Sequence, residues 1–239
     1  MLDAIKRGLV SLWKMFCYTL GVLFVCLLLY QAWFALHIWY WVAHNPESTS
    51  FMRARLERMR EKKPNAVLQQ RWIGYARISQ NLKRAVIVAE DAKFSEHDGF
   101  DWEGIQKAME KNQRRGRVVA GGSTISQQLA KNLFLSGEKS LWRKAQEAVI
   151  TSMLEMMMDK ERIFEIYLNV AEWGEGVFGV EAAARHYFGI SAANLDAEQA
   201  AELAAMLPRP LYYEHNRGSA FLQRYSETIR ARMPSAELP

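Results

Sequence analysis

The stretch Glu90-Asp91-Ala92-Lys93-Phe94-Ser95-Glu96-His97-Asp98-Gly99 contains the polar residues around which the predicted fold is organised. It follows an apolar run, 85–89, and a helix core has no need of the two adjacent carboxylates that end this run. Further along, Gly121-Gly122-Ser123-Thr124-Ile125-Ser126-Gln127-Gln128 opens a second apolar-periodic helix. Such a helix start offers free backbone N–H groups, for which an anion is the natural occupant. We therefore expect the two stretches to line one active-site cleft.

An N-terminal segment is long and apolar enough to span a membrane. No Asp, Glu, Lys or Arg occurs between Met15 and Pro46, and a spanning helix needs about 20 such residues. A cleaved signal peptide has a shorter apolar stretch, of about 7 to 15 residues, and a small-residue cleavage site. We therefore predict a retained transmembrane helix over 20–43; the alternative is a buried core hairpin.

Basic residues flank both ends of this segment, so the positive-inside rule is nearly balanced and gives little preference for either orientation. The basic residues before it lie closer to the span, and long domains translocate largely regardless of charge. We therefore predict that residues 1–19 are cytoplasmic and that the domain lies outside. Both cysteines, Cys17 and Cys26, lie at or in the span, so the rest of the chain cannot form a disulfide within itself.

The rest of the chain is predicted to be a charged linker, 44–64, followed by one domain, 65–239, which is long enough to enclose a core. The net charge of +5 suits an anionic lipid surface or a phosphorylated substrate. No stretch resembles a nucleic-acid-binding module, so nucleic acid is not expected as a partner.

Apolar periodicity and capping signals predict helices throughout the domain. Capping boxes are expected at Thr124 with Gln127 and at Asp196 with Gln199. No strand alternation is convincing, so at most a short hairpin is expected. The basic segment 111–117 has no apolar residue to fix it and is predicted to be a mobile loop.

Glu90 is the leading candidate for a catalytic group. It ends an apolar run, so its side chain is predicted to enter a cleft where desolvation raises a carboxyl pKa toward that of a usable general base. The alternative is a solvated carboxylate at a helix end. Asp91 is expected to orient its neighbours or cap a turn, and His97 to bond the backbone of a turn. No His and Cys cluster with metal-ligand spacing occurs, so no metal site is predicted.

A basic set follows the second stretch. Arg143 and Lys144 stand four and three residues before Glu147, which are ion-pair spacings on a helix. With Lys131 and Lys139 they could converge on a diphosphate; a surface ion-pair ladder is the alternative. The glycine pair lacks the Gly-Lys-Ser or Gly-Lys-Thr end of a nucleotide phosphate loop, so ATP hydrolysis is not predicted.

Four motifs, in order, resemble glycosyltransferase family 51. They are Glu90-Asp91-x-x-Phe94-x-x-His97-x-Gly99, Gly121-Gly122-Ser123-Thr124-Ile125-Ser126-Gln127-Gln128-x-x-Lys131-Asn132, Arg143-Lys144-x-x-Glu147 and Lys160-Glu161-Arg162-Ile163-x-Glu165-x-Tyr167-Leu168-Asn169. The resemblance implies a mainly α fold: a single N-terminal transmembrane helix, then a lysozyme-like helical domain with a small membrane-facing jaw subdomain. With one membrane anchor and no transpeptidase domain, the chain is similar to the monofunctional members of this family.

The resemblance implies a peptidoglycan glycosyltransferase that polymerises lipid II into β-1,4-linked strands during bacterial cell wall biosynthesis. The reaction would invert the MurNAc anomeric carbon and release undecaprenyl diphosphate. By carry-over, Glu90 is the general base, and Glu147 positions the donor diphosphate directly or through a divalent cation, Mg²⁺ or Mn²⁺. The substrate-binding positions carried over are Lys131, Lys144, Arg143, Ser123, Thr124, Gln127, Gln128, Lys139, Asp91, Phe94 and His97.

The expected partners are lipid II, the growing glycan strand and membrane lipid, with membrane proteins of cell division or cell-wall synthesis as further candidates. The expected location is the bacterial inner membrane. One alternative is an anchored glycan-cleaving enzyme that uses Glu90 as an acid and has no need of the basic set. The other is a non-catalytic scaffold, in which Glu90 can be replaced without loss of function.

Overall fold

The computed structural model describes residues 2–117, 121–138 and 140–239. It divides into two compact units, the first ending at His44 and the second running Asn45–Pro239. The first unit is one helix, α1 (Leu2–Ala43). By length and composition, Gly8–Ala43 is apolar enough to cross a membrane. The helix begins well before the predicted span 20–43 because its first turns contain strong helix formers such as Leu, Ala, Lys and Arg.

Ten helices form most of the second unit within its described residues, and the prediction of a mainly α fold is confirmed. They are α2 (Ser50–Lys62), α3 (Gln80–Glu90), α4 (Trp102–Arg115), α5 (Ile125–Phe134), α6 (Leu141–Met157), α7 (Lys160–Val170), α8 (Val180–Phe188), α9 (Ala197–Met206), α10 (Pro210–Tyr213) and α11 (Ala220–Arg232). Both predicted capping boxes are present, at the starts of α5 and α9.

Two helices of the core position the site. The apolar face of α3 packs on α9 and α11, and α5 packs on α6 and α7. Leu82 and Val86 of α3 and Leu129 of α5 are fully buried. Burial of each such side chain contributes about 1.5–3 kcal/mol to folding. The end of α3 and the start of α5 are therefore fixed by the core beneath them.

A small sheet completes the second unit. Strand β1 (Gln69–Gln70) pairs in parallel with β3 (Val177–Phe178), and β3 pairs antiparallel with β2 (Glu172–Gly174). The β2–β3 pair is the short hairpin that the sequence allowed. The third strand, β1, was not expected, because two glutamines carry no alternating pattern and their partner lies far along the chain.

Two segments differ from their predicted structure. The predicted linker 44–64 contains α2, which Thr49 caps and which packs on α5 through a face that buries Met52. The prediction of a loop over 111–117 is wrong, because α4 continues to Arg115. Lys, Gln and Arg are good helix formers, and basic residues in the last turn interact favourably with the helix dipole. Gly116, at φ +62°, then ends the helix.

Candidate active site

Glu90 is the last residue of α3 and lies on the wall of two cavities. The smaller, about 320 Å³, also contacts the start of α4. The larger, about 1030 Å³, extends toward Arg209 and Tyr225. Glu90 therefore stands at the end of a helix fixed in the core, beside cavities large enough for sugar rings.

The two oxygens of the Glu90 carboxylate have different surroundings. Oε2 accepts a hydrogen bond of 2.7 Å from Nε2 of Gln128, whereas Oε1 is buried and finds no partner among the described residues. Burial raises the pKa of Glu90, against the opposing effects of the Gln128 hydrogen bond and the Lys131 charge. Glu90 is thus not the solvated helix-end carboxylate of the alternative interpretation. Its free oxygen and raised pKa are those of a proton acceptor.

The start of α5 already holds an anion, and that anion is Asp91. The Asp91 carboxylate is buried and accepts from the backbone N–H of Ile125 at 3.0 Å. Its other oxygen lies 3.0 Å from Nε2 of His97. The anion expected at this helix start is therefore a side chain of the chain itself, whose charge interacts favourably with the helix dipole.

Thr124 and Gln127 also support the wall of the cleft. The Thr124 hydroxyl donates to the carbonyl oxygen of Gly99 at 2.7 Å and accepts from the backbone N–H of Gln127 at 3.2 Å. The Gln127 amide oxygen in turn accepts from the Thr124 backbone N–H. Both side chains are buried and engaged in the capping box. They fix the loop that follows Glu90 to the start of α5.

Phe94 and His97 lie in the supporting layer as well. Phe94 is fully buried and packs on Phe164, with ring centroids 5.7 Å apart. The His97 ring bonds the Asp91 side chain, not the backbone that the sequence suggested. Its carbonyl oxygen accepts from the ammonium of Lys160, which also pairs with Glu155 at 2.9 Å. The residues of the first motif thus brace one another and leave Glu90 facing the cleft.

A cationic cluster stands around a buried carboxylate on α6. Glu147 is only 3 % exposed; its Oε2 accepts from Arg143 and its Oε1 from Lys144, each at 2.5 Å. The pKa of Lys131 is lowered, mainly by burial and further by the charges of Arg143 and Lys144. The carboxylates of Glu147 and Glu90 act in the opposite direction and raise this pKa. Lys131 therefore lies within electrostatic reach of both carboxylates. Because Glu147 is buried, the cluster is not a surface ladder.

The cavities beside Glu90 and Lys131 share wall residues. Ser123 lines both cavities that contact Glu90. Gln128, Arg209 and Tyr212 line the larger one and also a third cavity, of about 410 Å³, whose wall includes Lys131. The cavity beside Glu90 and the cavity beside Lys131 are therefore neighbours that share part of their walls. Lys139, the remaining basic candidate, lies outside the described residues.

Sequence reasoning gave no role to two tyrosines beside Glu90. The Tyr225 hydroxyl donates to the carbonyl oxygen of Ala89 at 3.2 Å, and the Tyr167 hydroxyl donates to Oε1 of Gln128 at 3.2 Å. Tyr167 belongs to the fourth motif, so its position was available as a signal. Tyr225 lies on the C-terminal helix, where no motif or spacing marked it.

The side chains available as metal ligands do not fit a divalent cation held by the protein alone. Both oxygens of Glu147 already accept from cationic side chains. Among the described residues, no group of three or more His, Cys, Asp and Glu side chains is placed to hold a metal ion. Mg²⁺ is commonly bound by one or two carboxylates together with substrate phosphates. A divalent ion at this site would therefore depend on the diphosphate for its ligands.

A buried carboxyl group of raised pKa, with a cluster of cations within electrostatic reach, is typical of enzymes that transfer a group from an anionic leaving group. A family model described as Transglycosylase matches residues 57–234. The protein called Biosynthetic peptidoglycan transglycosylase in Herminiimonas arsenicoxydans is 60% identical over 226 residues, covering 95% of this chain and 98% of the relative. Its namesake in Methylobacillus flagellatus is 61% identical over 215 residues, covering 90% and 94%. That of Laribacter hongkongensis is 55% identical over 239 residues and 100% of both chains. The chain belongs to the transglycosylase family, which confirms the resemblance found in the four motifs.

Proposed function

We propose that the chain is a peptidoglycan glycosyltransferase that polymerises lipid II into β-1,4-linked glycan strands of the bacterial cell wall. The relatives called Biosynthetic peptidoglycan transglycosylase match this chain over nearly their whole length. The observation that carries the proposal is the buried, unpartnered oxygen of Glu90 beside a cavity that shares its wall with the one next to Lys131. Family membership and this arrangement point to the same chemistry.

In the proposed reaction, Oε1 of Glu90 removes the proton of the 4-hydroxyl on the acceptor GlcNAc. The hydroxyl oxygen attacks C1 of the donor MurNAc, and the new bond forms as the bond between C1 and the diphosphate oxygen breaks. The bonding electron pair leaves with undecaprenyl diphosphate. Attack on the face opposite the leaving group converts an α linkage into a β linkage. Burial favours this step, because it raises the proton affinity of Glu90.

The cationic cluster is suited to the leaving group. Three cations, Lys131, Arg143 and Lys144, surround the single carboxylate of Glu147, which leaves a net charge of +2 for the diphosphate. Preorganised charge in a site shielded from water stabilises developing negative charge more strongly than water does. Glu147 holds the two cations of α6 in place before the substrate arrives. Lys139 is proposed to add a further cation, and Ser123 and Gln128 to contact the sugars.

We further propose that α1 anchors the chain in the bacterial inner membrane, with the N-terminus in the cytoplasm and the domain outside. Its apolar stretch, Gly8–Ala43, supports a membrane anchor. A lipid-linked substrate stays in the membrane, so an anchor keeps the enzyme where the substrate is. The proposed partners are lipid II, the growing strand and membrane lipid, together with membrane proteins of cell-wall synthesis or cell division.

Labelled lipid II and the detergent-solubilised full chain test this proposal. Polymer that grows with time, with release of the lipid diphosphate, and that a hydrolase specific for β-1,4 bonds degrades, is the expected result. Release of short glycans from finished strands without any polymerisation would instead support a glycan-cleaving enzyme. Neither product under conditions in which the protein remains folded would support a scaffold and contradict the proposal.

A further inference from the structure

The hydrogen-bond chain behind Glu90 has a defined direction. The Tyr167 hydroxyl donates to the amide oxygen of Gln128 at 3.2 Å, and the amide nitrogen of Gln128 donates to Oε2 of Glu90 at 2.7 Å. A glutamine side chain can present either its oxygen or its nitrogen to a neighbour. A hydroxyl that donates to the oxygen leaves the nitrogen for the carboxylate. An ionised carboxylate only accepts, so Glu90 selects the amide nitrogen, and the Tyr167 hydroxyl holds the amide in that orientation by donating to its oxygen.

Tyr167 is built to remain a donor. It lies on α7, is 1 % exposed, and α7 packs on α5, the helix that contains Gln128. Burial, and to a smaller extent the charges of Glu90 and Asp91, raise its pKa well above the ordinary value. Its hydroxyl thus keeps its proton whenever the protein is folded. Its rigid ring has little freedom to withdraw the hydroxyl from Gln128.

We propose that Tyr167 is a positioning residue for the transfer reaction, which acts through the Gln128 amide to hold Oε2 of Glu90 and leave Oε1 to receive the acceptor proton. The proposal rests on the proposed role of Glu90 as the base. Without the tyrosine hydroxyl, the amide oxygen loses its partner and the amide is free to move away from Oε2. A weaker or absent hydrogen bond to the carboxylate favours the protonated, inactive form of Glu90.

Other charged and titratable groups around Glu90 also influence its pKa. Asp91 raises its pKa and Lys131 lowers it, and Tyr225 lies beside it on α11. The walls of the two cavities add Lys93, Asp101, Glu103 and Lys107 on one side and Lys111, Arg117 and Arg209 on the other. None of these groups lies between Tyr167 and Gln128. Substitution of Tyr167 leaves all of them in place, so a shift can be attributed to the amide.

The test is the pH dependence of lipid II polymerisation by the full-length chain and its variants. Tyr167→Phe is expected to move the acid limb of the pH profile of kcat toward higher pH by about half a unit to one unit, since a hydrogen bond to a charged group is weakened or lost. Gln128→Met removes the donor itself and is expected to move the limb in the same direction. The double variant is expected to match Gln128→Met alone, because residues that act in series are not additive.

Tyr187→Phe is the matched control. It also removes a hydroxyl that bonds inside the domain, to the carbonyl oxygen of Trp173 at 2.7 Å, and it leaves the cleft intact. Its acid limb is expected to coincide with that of the unmodified chain. A general loss of packing would lower the rate of Tyr187→Phe and Tyr167→Phe alike without moving the limb.

An unmoved limb in Tyr167→Phe, additive shifts in the double variant, or a change in KM alone would each overturn the proposal. If Tyr167→Phe does not fold, Gln128→Met decides, and an unmoved limb there overturns it equally. Glu90→Gln separates this proposal from the one on which it rests. If Glu90→Gln remains active, the role of Glu90 is wrong; if it is inactive while the limbs stay in place, only the role of Tyr167 is wrong.

Discussion

Replacement of Asp91 by asparagine should separate the structural effect of this residue from its electrostatic effect on Glu90. The Asp91 carboxylate accepts from the backbone N–H of Ile125 and from His97, each at 3.0 Å. An asparagine has the same shape but only one acceptor oxygen and no charge. It therefore loses one of the two bonds and the favourable interaction with the start of α5.

The expected loss of stability is about 2 kcal/mol, because a hydrogen bond to a buried charged group contributes about 1.5–3 kcal/mol. In a domain of this size, each kcal/mol corresponds to roughly 2–4 °C in Tm. Asp91→Asn should thus lower Tm by about 4–8 °C, measured by tryptophan fluorescence on the solubilised chain. Asp98→Asn, an exposed carboxylate of the same segment, should leave Tm unchanged.

Asp91→Asn should also extend activity to lower pH, although it lowers stability. The Asp91 charge raises the pKa of Glu90, so its removal lowers that pKa. The ionised base then persists to lower pH, and the acid limb of polymerisation should move to lower pH. An unchanged Tm would refute the assignment of Asp91 as the anchor of α5. An acid limb that moved to higher pH would refute the electrostatic argument.

Three further results are expected. Lys131→Met should reduce kcat for lipid II polymerisation by about 10²–10³-fold, since it removes one of the charges that stabilise the leaving diphosphate. Gly179→Ala should lower the free energy of unfolding by about 3 kcal/mol in denaturant titrations, because Gly179 has φ +81° and an added Cβ would lie 2.6 Å from the carbonyl oxygen of Asn169. The rate of the unmodified chain should fall on the acid side at a pH above the ordinary carboxyl range, because burial raises the pKa of Glu90 and its protonated form cannot accept a proton.

Controls for these results are present in the chain. Lys62→Met, on the exposed end of α2, should retain full activity. Gly218→Ala should retain full stability, since an added Cβ there meets nothing within 4 Å. Equal effects in Lys131→Met and Lys62→Met, or in Gly179→Ala and Gly218→Ala, would contradict the reasoning. An acid limb at the pH of an exposed carboxyl group would contradict the role of burial.

Local signals in the sequence were sufficient for much of the fold. The capping residues Thr124 and Asp196 start helices where expected, because a cap acts through backbone groups only two or three residues away. The apolar stretch near the N-terminus is long enough to span a membrane, and its length and composition can be taken directly from the sequence. Strand β1 could not be predicted in the same way, since its only support is pairing with a strand more than a hundred residues later.

The site residues likewise divide into those that the sequence marks and those whose contacts depend on helix packing. Glu90 could be selected because a carboxylate at the end of an apolar run is visible in the sequence, whereas the role of Glu147 came from the family resemblance. The partner of Asp91 could not, since it depends on α3 ending beside the start of α5. Nor could the link from Tyr167 through Gln128 to Glu90, which joins three helices whose packing the sequence does not state.

The measurement that tests the account most directly is the rate of lipid II polymerisation by Glu90→Gln, which keeps the shape of the side chain and removes the base. Glu96→Gln, an exposed carboxylate a few residues away, is the matched control. We predict that Glu90→Gln loses at least about a hundredfold in kcat while remaining folded, and that Glu96→Gln equals the unmodified chain. Polymerisation by Glu90→Gln at the rate of the unmodified chain would contradict the assignment of Glu90 as the base.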